Sequence, residues 1–575
     1  MYYSKRFVML LFMGLIHVAL SLPYAVPKAR QPIVTLRNGT LLGLQSPTYE
    51  QDYFLGVPYA SPPVGELRLR RAAPPAAWNE TRLATSYGPW CYGNNIGLLG
   101  YSQTVPGVEY SEDCLQLNII RPSGTGRDAK LPVLVWLPGG GFAEGSANEP
   151  RYNGSFIVRN SVDMGTPLMF VSLNYRLGAF GMLAGSAIEQ DGLANIALYD
   201  QRQALAWIQE NIRQFGGDPQ RVTIMGESAG AFSVGFHLLA YGGRDEGLFS
   251  SAIAQSGGPY TEGAVNRNST KREVDFNAVL EDTGCQGMND PLDCLRQVPA
   301  TKLNAASVGL PVSMVIDGQL IVNSSQAQLE RGQFIRVPLL IGANRNECTS
   351  FTRLIAPFPI NTDEDFANII HNTWAGGLVP PDLVQAWSSL YDNEVNHPSI
   401  AGLGTVVPNP GTAYGAQYGK TSLWLTDMQF MAGRRFAAEA WAAEGVPSYS
   451  YFFDTVPTSI NATELGAAHF QEIPYVFGNE DGVGWDGDPF PADPTLRNKH
   501  KRLAMIMSRM WISFAVDKSP NFHRVRDMGV KWPTYSLTGP ENIVFSAMDG
   551  VHLQPDNWRS EAIVLVKSLP NDAAL

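Results

Sequence analysis

The stretch VTIMGESAG, residues 222–230, sets a Gly-x-Ser-x-Gly motif directly after a short apolar run. The motif alone recurs by chance, so its flanking sequence decides its meaning. The run VTIM predicts a β-strand before the motif, and residues 229–240 predict a helix after it. A strand, GESAG and a helix follow one another in a nucleophile elbow, where a serine projects from the end of a sheet strand. Ser228 is therefore the candidate nucleophile.

Segments before the elbow alternate between strand and helix patterns. The runs LPVLVWLPGGGF (131–142) and PLMFVSLNYR (167–176) predict buried strands, and residues 197–215 predict a helix that stops at Gly216. Alternating strands and helices favour a mostly parallel sheet. No low-complexity linker or internal repeat divides the chain. We therefore expect one large α/β domain with helices on both faces of the sheet and long insertions.

The glycines around the elbow suit its chemistry. Gly226 and Gly230 leave room beside a strained serine, where bulkier side chains would clash. The amide of Ala229 is expected to point toward the oxyanion of the reaction, and the glycines at 139–141 can supply further N–H donors. Each such donor contributes about 10²–10³ in rate in well-studied hydrolases.

A serine nucleophile needs a histidine that takes its proton. In this type of fold the chain order is serine, acid, histidine, so the histidine must come late. His17 lies in an apolar leader, and His237 lies in the elbow helix, where packing is the expected role. The residues alone leave both His469 and His552 as candidates.

The acid that orients the histidine has two candidates as well. Glu347 follows the predicted strand PLLIGAN, whereas Asp317 lies in the turn VIDGQ. An acid just beyond a strand end is better placed at the edge of the sheet where the serine projects. The sequence therefore favours Glu347.

Composition and charge exclude several classes of function. The net charge of −11 argues against nucleic-acid binding, which needs basic patches to neutralise phosphates. The sequence has no C-x-x-C pair, His-rich tract or H-E-x-x-H motif, so we expect no metal site. Serine ester chemistry also needs no organic cofactor.

The N-terminus is typical of an export signal. Two basic residues precede FVMLLFMGLIHVALSL, which is too short and too weakly flanked for a lasting membrane anchor. We expect cleavage after Ser21, with Ala25 as the competing position, so that residues 1–21 are the signal and 22–575 a single secreted domain. Six sequons agree with export and are candidate glycosylation sites: Asn38, Asn79, Asn153, Asn268, Asn323 and Asn461.

The five cysteines are few, but their positions suit an oxidising compartment. Cys285 and Cys294 flank a turn-rich stretch that a disulfide could close, and Cys91 and Cys114 bracket another loop. This arrangement leaves Cys348 as the odd cysteine.

These motifs resemble those of the type-B carboxylesterase/lipase family, an α/β-hydrolase family that includes cholinesterases and secreted fungal lipases. The resemblance extends from about residue 30 to about residue 560. FGGDPQRVTIMGESAG (215–230) fits the family's serine signature at every position. EDCLQLNIIRP (112–122) fits a second signature except at Gln116, where Tyr, Thr or Phe is usual. The resemblance implies an α/β-hydrolase fold and a serine esterase that acts on small-molecule esters through an acyl-enzyme.

The resemblance also implies the roles of single residues. GANRNE corresponds to the family's acid segment and makes Glu347 the acid, and HFQEIPYVFG corresponds to its histidine segment, which selects His469. GGGF implies oxyanion donors at Gly140 and Gly141, with Ala229 as the third donor.

Two disulfides of the family correspond to Cys91–Cys114 and Cys285–Cys294. Cys348 stands where glycine commonly follows the acid, and we expect it to be a buried free thiol.

The same fold also serves other functions. Neuroligin-like adhesion proteins bind partners without catalysis, but they typically lose the nucleophile that this chain keeps. A lipase for long-chain acylglycerols or sterol esters would use the same acyl-enzyme, as would a biosynthetic esterase or transesterase for a specialised metabolite.

Two segments bear on the substrate. Cholinesterases hold choline on a tryptophan in the first disulfide loop, whereas residues 92–113 contain no tryptophan and only scattered apolar side chains. We therefore expect no preference for choline and weak interfacial activation. The segment 307–318, which by resemblance borders the acyl pocket, has small or aliphatic residues that would leave room for a bulky acyl group. The expected substrates are neutral, moderately apolar esters.

Overall fold

The computed structural model describes residues 31–260, 264–266, 270–310, 314–355, 359–374, 379–391 and 412–569. The predicted signal, residues 1–21, and the sequon at Asn268 lie outside these residues. The described residues belong to one compact unit that begins at Gln31.

The strands follow one another along the whole described chain. In chain order they are β1 (Ile33–Leu36), β2 (Gly39–Leu42), β3 (Leu44–Ser46), β4 (Gln51–Pro58), β5 (Thr81–Leu83), β6 (Trp90–Cys91), β7 (Tyr110–Ser111), β8 (Gln116–Pro122), β9 (Leu131–Leu137), β10 (Met169–Leu173), β11 (Gly217–Glu227), β12 (Ser251–Gln255), β13 (Ala264–Asn266), β14 (Met314–Ile316), β15 (Leu339–Asn344), β16 (Ser448–Phe453), β17 (Glu541–Ser546) and β18 (Gly550–Pro555).

An 11-stranded sheet forms the centre of the fold, in the order β18-β17-β16-β15-β12-β11-β9-β10-β8-β4-β3. Every neighbouring pair from β10 across to β17 is parallel. The pairs at the two edges, β10–β8–β4–β3 and β17–β18, are antiparallel. The mostly parallel sheet predicted from the sequence is therefore confirmed.

The helices connect and cover these strands. In chain order they are α1 (Ser155–Asp163), α2 (Gly178–Met182), α3 (Ser186–Gln190), α4 (Ile196–Asn211), α5 (Ala229–Gly243), α6 (Thr270–Thr283), α7 (Pro291–Gln297), α8 (Ala300–Ala305), α9 (Ser325–Glu330), α10 (Thr349–Ile355), α11 (Asp363–Asn368), α12 (Pro381–Leu390), α13 (Tyr418–Thr426), α14 (Ala432–Ala443), α15 (Ala462–Leu465), α16 (Ile473–Phe477), α17 (Pro494–Asp517) and α18 (Ser560–Val564).

Shorter turns complete the helical structure. The 3₁₀ turns are Gly65–Leu67, Pro150–Tyr152, Ile212–Phe215, Pro520–Phe522 and Leu565–Ser568, and the π-helices are Ile369–Trp374 and Asp427–Met431. Within the part of the chain that the structure describes, no helix is long and apolar enough to cross a membrane.

Strand β9 shows how the sheet divides the core into two layers. Its side chains at Val133 and Val135 belong to one buried cluster, whereas Leu134 and Trp136 belong to another. Helix α5 contributes to the first cluster and the long helix α17 to the second. Successive side chains of a strand point to opposite faces, so helices cover both faces of the sheet.

The predicted elements around the elbow are present. Strand β11 ends at Glu227 and helix α5 begins at Ala229, so Ser228 alone connects them. Its backbone has φ 56° and ψ −126°, a strained conformation for a residue with a side chain. A Cβ atom on Gly230 would lie 2.0 Å from the carbonyl oxygen of Leu137 at the end of β9. Glycine is therefore required where the elbow packs against this neighbouring strand.

Both disulfides implied by the resemblance are present. Cys91 pairs with Cys114 at a Cα–Cα distance of 5.1 Å, and Cys285 pairs with Cys294 at 5.7 Å. Cys348 is a buried free thiol whose Sγ donates to Oε1 of Gln429 at 3.2 Å. Burial is the largest cause of the raised pKa of this thiol, which keeps it in the protonated form.

The close packing of Gly230 gives a test of the elbow. Gly230→Ala should lower the free energy of unfolding by about 3 kcal/mol, because the new methyl group meets a backbone atom of a central strand that cannot move aside. Urea unfolding followed by circular dichroism measures the change. Gly126→Ala is the matched control, since a Cβ there meets no atom within 4 Å. Equal stabilities of the two variants would contradict this account of the elbow.

Candidate active site

The predicted nucleophile lies where the carboxyl ends of several parallel strands meet. Ser228 follows β11, and its backbone N–H donates to the carbonyl oxygen of Gln255 at the end of β12 at 2.9 Å. A Cβ atom on Gly139, beyond the end of β9, would lie 3.0 Å from Cβ of Ser228. The three-glycine segment therefore lies directly beside the elbow.

The second member of the glycine segment begins a tight turn. Gly140 has φ 105° and Gly141 has φ 62°, both in the region that favours glycine. The backbone N–H groups of Ala143 and Glu144 donate to the carbonyl oxygen of Gly140 at 3.0 and 2.9 Å. This turn is fixed by its own backbone hydrogen bonds.

The predicted histidine and acid are hydrogen-bonded to each other. Nδ1 of His469 lies 2.6 Å from Oε2 of Glu347, and the two side chains are buried, with exposures of 1% and 0%. The other carboxylate oxygen of Glu347 accepts from Oγ of Ser256 and from the backbone N–H of Asn344, both at 2.6 Å. Both oxygens of the acid are thus occupied, and its orientation toward the histidine is fixed.

Hydrogen bonds from two asparagines also join the loop that carries the acid to the loop that carries the histidine. Asn346 donates from its N–H to the carbonyl oxygen of Ala467 at 2.9 Å, and its Oδ1 accepts from the N–H of Ala467 at 3.0 Å. The side-chain amide of Asn344 donates to the carbonyl oxygen of Ala468, directly before His469, at 2.9 Å. Two asparagines therefore position the histidine loop relative to the acid.

Glu227, which precedes the serine, is a buried carboxylate that the sequence analysis did not single out. It is fully buried, and its Oε1 lies 3.1 Å from Nε2 of His469. The contact is not aligned as a hydrogen bond, since neither atom has a hydrogen-bond partner among the described residues. Burial, followed by the nearby carboxylates of Glu472 and Glu347, raises the pKa of Glu227 well above its ordinary value. Glu227 therefore favours its protonated form beside the histidine.

A third buried carboxylate, Glu472, joins this group. Its oxygens accept from Nε2 of Gln255 at 3.0 Å and from Nδ2 of Asn344 at 2.7 Å. Burial is the largest cause of its raised pKa, and the charge of Glu347 adds to the effect. Because the backbone of Gln255 also accepts from the N–H of Ser228, one network connects the serine backbone with the acid loop. In the sequence, Glu227 and Glu472 are marked only by their positions inside the quoted motifs.

The other acid and histidines considered in the sequence analysis make contacts that belong to the fold. Oδ1 of Asp317 accepts from the N–H groups of Gln319 and Ile321 at 2.9 and 3.0 Å, so this acid fixes its own turn. His552 lies on the edge strand β18. His237 is buried with Nε2 2.8 Å from Oε1 of Gln201, in the packing role expected of it.

The Cys91–Cys114 loop is tied down close to this site. The carbonyl oxygen of Gly100 accepts from Nε2 of Gln471 at 2.9 Å, and Gln103 donates to the carbonyl oxygen of Gly484 at 2.8 Å. Leu98 and Tyr101 of the loop are buried in the core. Across the residues that the structure describes, no group of three or more His, Cys, Asp or Glu could hold a metal ion.

A mostly parallel sheet with helices on both faces and a strand–serine–helix elbow at its carboxyl edge defines an α/β-hydrolase fold. The sequence pattern of the carboxylesterase family matches residues 30–551. The chain belongs to the carboxylesterase family, so the predicted family and fold class are both confirmed.

Individual proteins support the same assignment. The chain is 30% identical to "Lipase 2" of Geotrichum candidum, over 89% of this chain and 91% of that protein. It is 32% identical to "Secreted lipase 1" of Botryotinia fuckeliana, over 95% of this chain and 94% of that protein. The crystal structure of Aspergillus niger EstA is similar with a TM-score of 0.80 and 28% identity, covering 95% of this chain and 99% of that one.

The raised pKa of Glu227 predicts a pH-dependent stability difference. In the unfolded chain this carboxyl ionises near its ordinary value, whereas in the folded protein it keeps its proton to higher pH. As pH rises from the ordinary glutamate range toward the raised pKa, Glu227 therefore lowers the free energy of unfolding. Glu227→Gln removes this cost, so its gain in Tm over the parent should be larger at about pH 8 than at about pH 5.

Differential scanning calorimetry at the two pH values measures this gain. Glu80→Gln, at an exposed position, is the matched control for replacing a carboxyl group by an amide. A gain for Glu227→Gln that is equal at both pH values, or smaller at the higher one, would refute the protonated state of Glu227.

Proposed function

We propose that this protein is a secreted carboxylic ester hydrolase in which Ser228, His469 and Glu347 form a catalytic triad. The observation that carries the proposal is the buried 2.6 Å contact between Nδ1 of His469 and Glu347. That contact leaves Nε2, the nitrogen that must exchange protons with the serine, without a hydrogen-bond partner among the described residues. Membership of the carboxylesterase family supports ester hydrolysis as the reaction.

The proposed mechanism uses these three groups in turn. Oγ of Ser228 attacks the ester carbonyl carbon while its proton passes to Nε2 of His469. The carboxylate of Glu347 stabilises the imidazolium that forms. The backbone N–H groups of Gly140, Gly141 and Ala229 are proposed to hold the oxyanion. The alcohol leaves with the proton from His469, and water then releases the acyl group from Ser228 by the same steps.

The proposed substrates are neutral, moderately apolar esters. The first disulfide loop, residues 92–113, contains no tryptophan that could hold a quaternary ammonium group. The contacts of Gly100 and Gln103 tether that loop at two points, which supports a fixed wall instead of a lid that opens at an oil surface. The second candidate is a lipase for long-chain acylglycerols or sterol esters, which the names of the two fungal relatives favour. A biosynthetic esterase or transesterase would share the same acyl-enzyme.

The proposal includes export of a single domain after cleavage of residues 1–21. Two disulfides and the relative named as a secreted lipase are consistent with an oxidising, extracellular location. Among the described sequons, Asn79 and Asn461 are exposed, and Asn38, Asn153 and Asn323 are half-buried. Glycosylation is proposed first for the two exposed asparagines.

Three substitutions test the triad. Ser228→Ala should lower kcat toward an activated ester by about 10⁶-fold, because no other group can form the acyl-enzyme. Glu347→Gln should also be severely impaired, because an amide cannot stabilise the imidazolium as a carboxylate does. Asp317→Asn is the control acid, and its main effect should be on folding stability. Near-normal hydrolysis by folded Ser228→Ala would refute the mechanism, and a greater loss for Asp317→Asn than for Glu347→Gln would transfer the acid role.

A second measurement separates the esterase from the lipase. We expect hydrolysis rates for a chain-length series of chromogenic esters to level off at each substrate's solubility limit, because the tethered loop has little apolar surface to expose. The rates are followed in a spectrophotometer from below to above that limit. A sharp rise once droplets form would favour the lipase instead, and a strong preference for choline esters would overturn the argument from the missing tryptophan.

A further inference from the structure

The residue that follows the proposed general base has a strained backbone. Phe470 comes directly after His469 and has φ 75°, in the left-handed region that residues with a bulky side chain rarely adopt. Such a conformation costs free energy and persists only where the surrounding structure leaves no alternative. Phe470 is fully buried, so the contacts of its side chain are the source of this constraint.

A buried arginine lies against the ring of Phe470. The guanidinium carbon of Arg151 is 4.4 Å from the ring centroid of Phe470 and 5.3 Å from that of Trp485. Both distances fall within the range of cation–π contacts. The ring of Phe470 also meets that of Tyr101 edge-on, with the centroids 4.8 Å apart, and that of Trp485 at 5.6 Å. One cation and two aromatic side chains therefore hold this ring in place.

The orientation of Arg151 is itself fixed by two further contacts. Its Nε forms an ion pair with the carboxylate of Glu149, and its Nη1 donates to the carbonyl oxygen of Tyr101 at 2.8 Å. Both members of the ion pair are buried, with exposures of 3% for the arginine and 4% for the glutamate. A planar guanidinium that is held at two of its nitrogens presents a defined face to the rings beside it.

These contacts join the first disulfide loop to the histidine segment. The loop carries Tyr101, whose carbonyl oxygen accepts from Arg151, and Gly100, whose carbonyl oxygen accepts from Nε2 of Gln471 at 2.9 Å. The same nitrogen of Gln471 lies 3.2 Å from the carbonyl oxygen of His469, to which it also donates. The backbone of the histidine is therefore connected to the loop as well as to the acid segment.

We propose that Arg151 is a positioning residue for His469, because it holds Phe470 in the strained conformation that fixes the backbone of the histidine. The hydrogen bond from Glu347 fixes one end of the imidazole, so the place of Nε2 relative to Ser228 also depends on that backbone. A misplacement of about 1 Å in a catalytic site can lower the rate about 100-fold. The proposal rests on the proposed esterase function and adds a residue to it.

Replacement of the whole ion pair tests the proposal. Glu149→Gln combined with Arg151→Met removes both charges, so no unpaired charge is left buried. We expect kcat for 4-nitrophenyl acetate to fall about 10- to 100-fold with KM unchanged, because the histidine is misplaced while the substrate contacts remain. Steady-state kinetics measure both constants, and calorimetry confirms that the variant is folded. A parent value of kcat, or a rise in KM alone, would overturn the proposal.

The chain offers a matched control pair in another part of the sheet. Arg121 is also buried, pairs with Asp52, lies 5.2 Å from the ring centroid of Phe54 and donates to the carbonyl oxygen of Phe215 at 2.6 Å. Asp52→Asn combined with Arg121→Met should therefore keep the parent kcat. An equal loss of kcat in the two double variants would show a general effect of removing buried charges, and the positioning role would be wrong.

Arg151→Lys tests the role with the charge retained. The lysine keeps a cation beside Glu149, so this variant avoids a buried unpaired carboxylate even if the double variant fails to fold. Its ammonium group is a compact point charge that cannot reach the carbonyl oxygen of Tyr101 and cover the ring of Phe470 together. We expect kcat between those of the parent and the double variant. If kcat equals that of the parent, the guanidinium does not position the histidine.

Phe470→Gly shows whether Arg151 acts through the phenylalanine. Glycine adopts φ 75° without strain and has no ring for the guanidinium to hold. In this background the ion-pair replacement should lower kcat no further, whereas losses that multiply would contradict the proposed route. Failure of the proposed function is a separate result, since it would appear as hydrolysis of 4-nitrophenyl acetate that persists in folded Ser228→Ala.

Discussion

The backbone conformation of Ser228 is the constraint on which the site depends. An L-residue with φ 56° and ψ −126° is held there only if its surroundings leave no alternative. The surroundings are a central strand of a parallel sheet on one side and a helix start on the other, with glycine at 226 and 230 to let them approach. This backbone strain is located at Ser228. The burial of β11 and α5 in the core offsets it.

Parallel topology brings the remaining groups to the same edge. Strands β9, β11, β12 and β15 run in one direction side by side, so the segments that follow them all emerge together. The three-glycine turn, the serine, Ser256 and Glu347 each come directly after one of these strands. The histidine arrives on a longer loop, and for that reason it needs the hydrogen bonds of Asn344 and Asn346 to hold it.

The sequence predicted the parts of the site that are local. The strand and helix patterns, the elbow glycines and the acid beyond a strand end depend on neighbours along the chain, and the structure shows each of these elements. Family resemblance, and not local pattern, chose His469 over His552, because the pairing of His469 with Glu347 spans 122 residues. The burial of Glu227 beside His469 could not be predicted, since the contact joins segments far apart in sequence.

The length of the Glu347 side chain must match the conformation of the loop that carries it. One oxygen of Glu347 reaches back to the N–H of Asn344, three residues earlier, while the other reaches forward to His469. An aspartate is shorter by one methylene group and could keep only one of these two contacts without movement of the backbone. A replacement of Glu347 by aspartate would therefore require a compensating change in the 344–347 turn. The identity of the acid at position 347 and the conformation of its loop can therefore change only together.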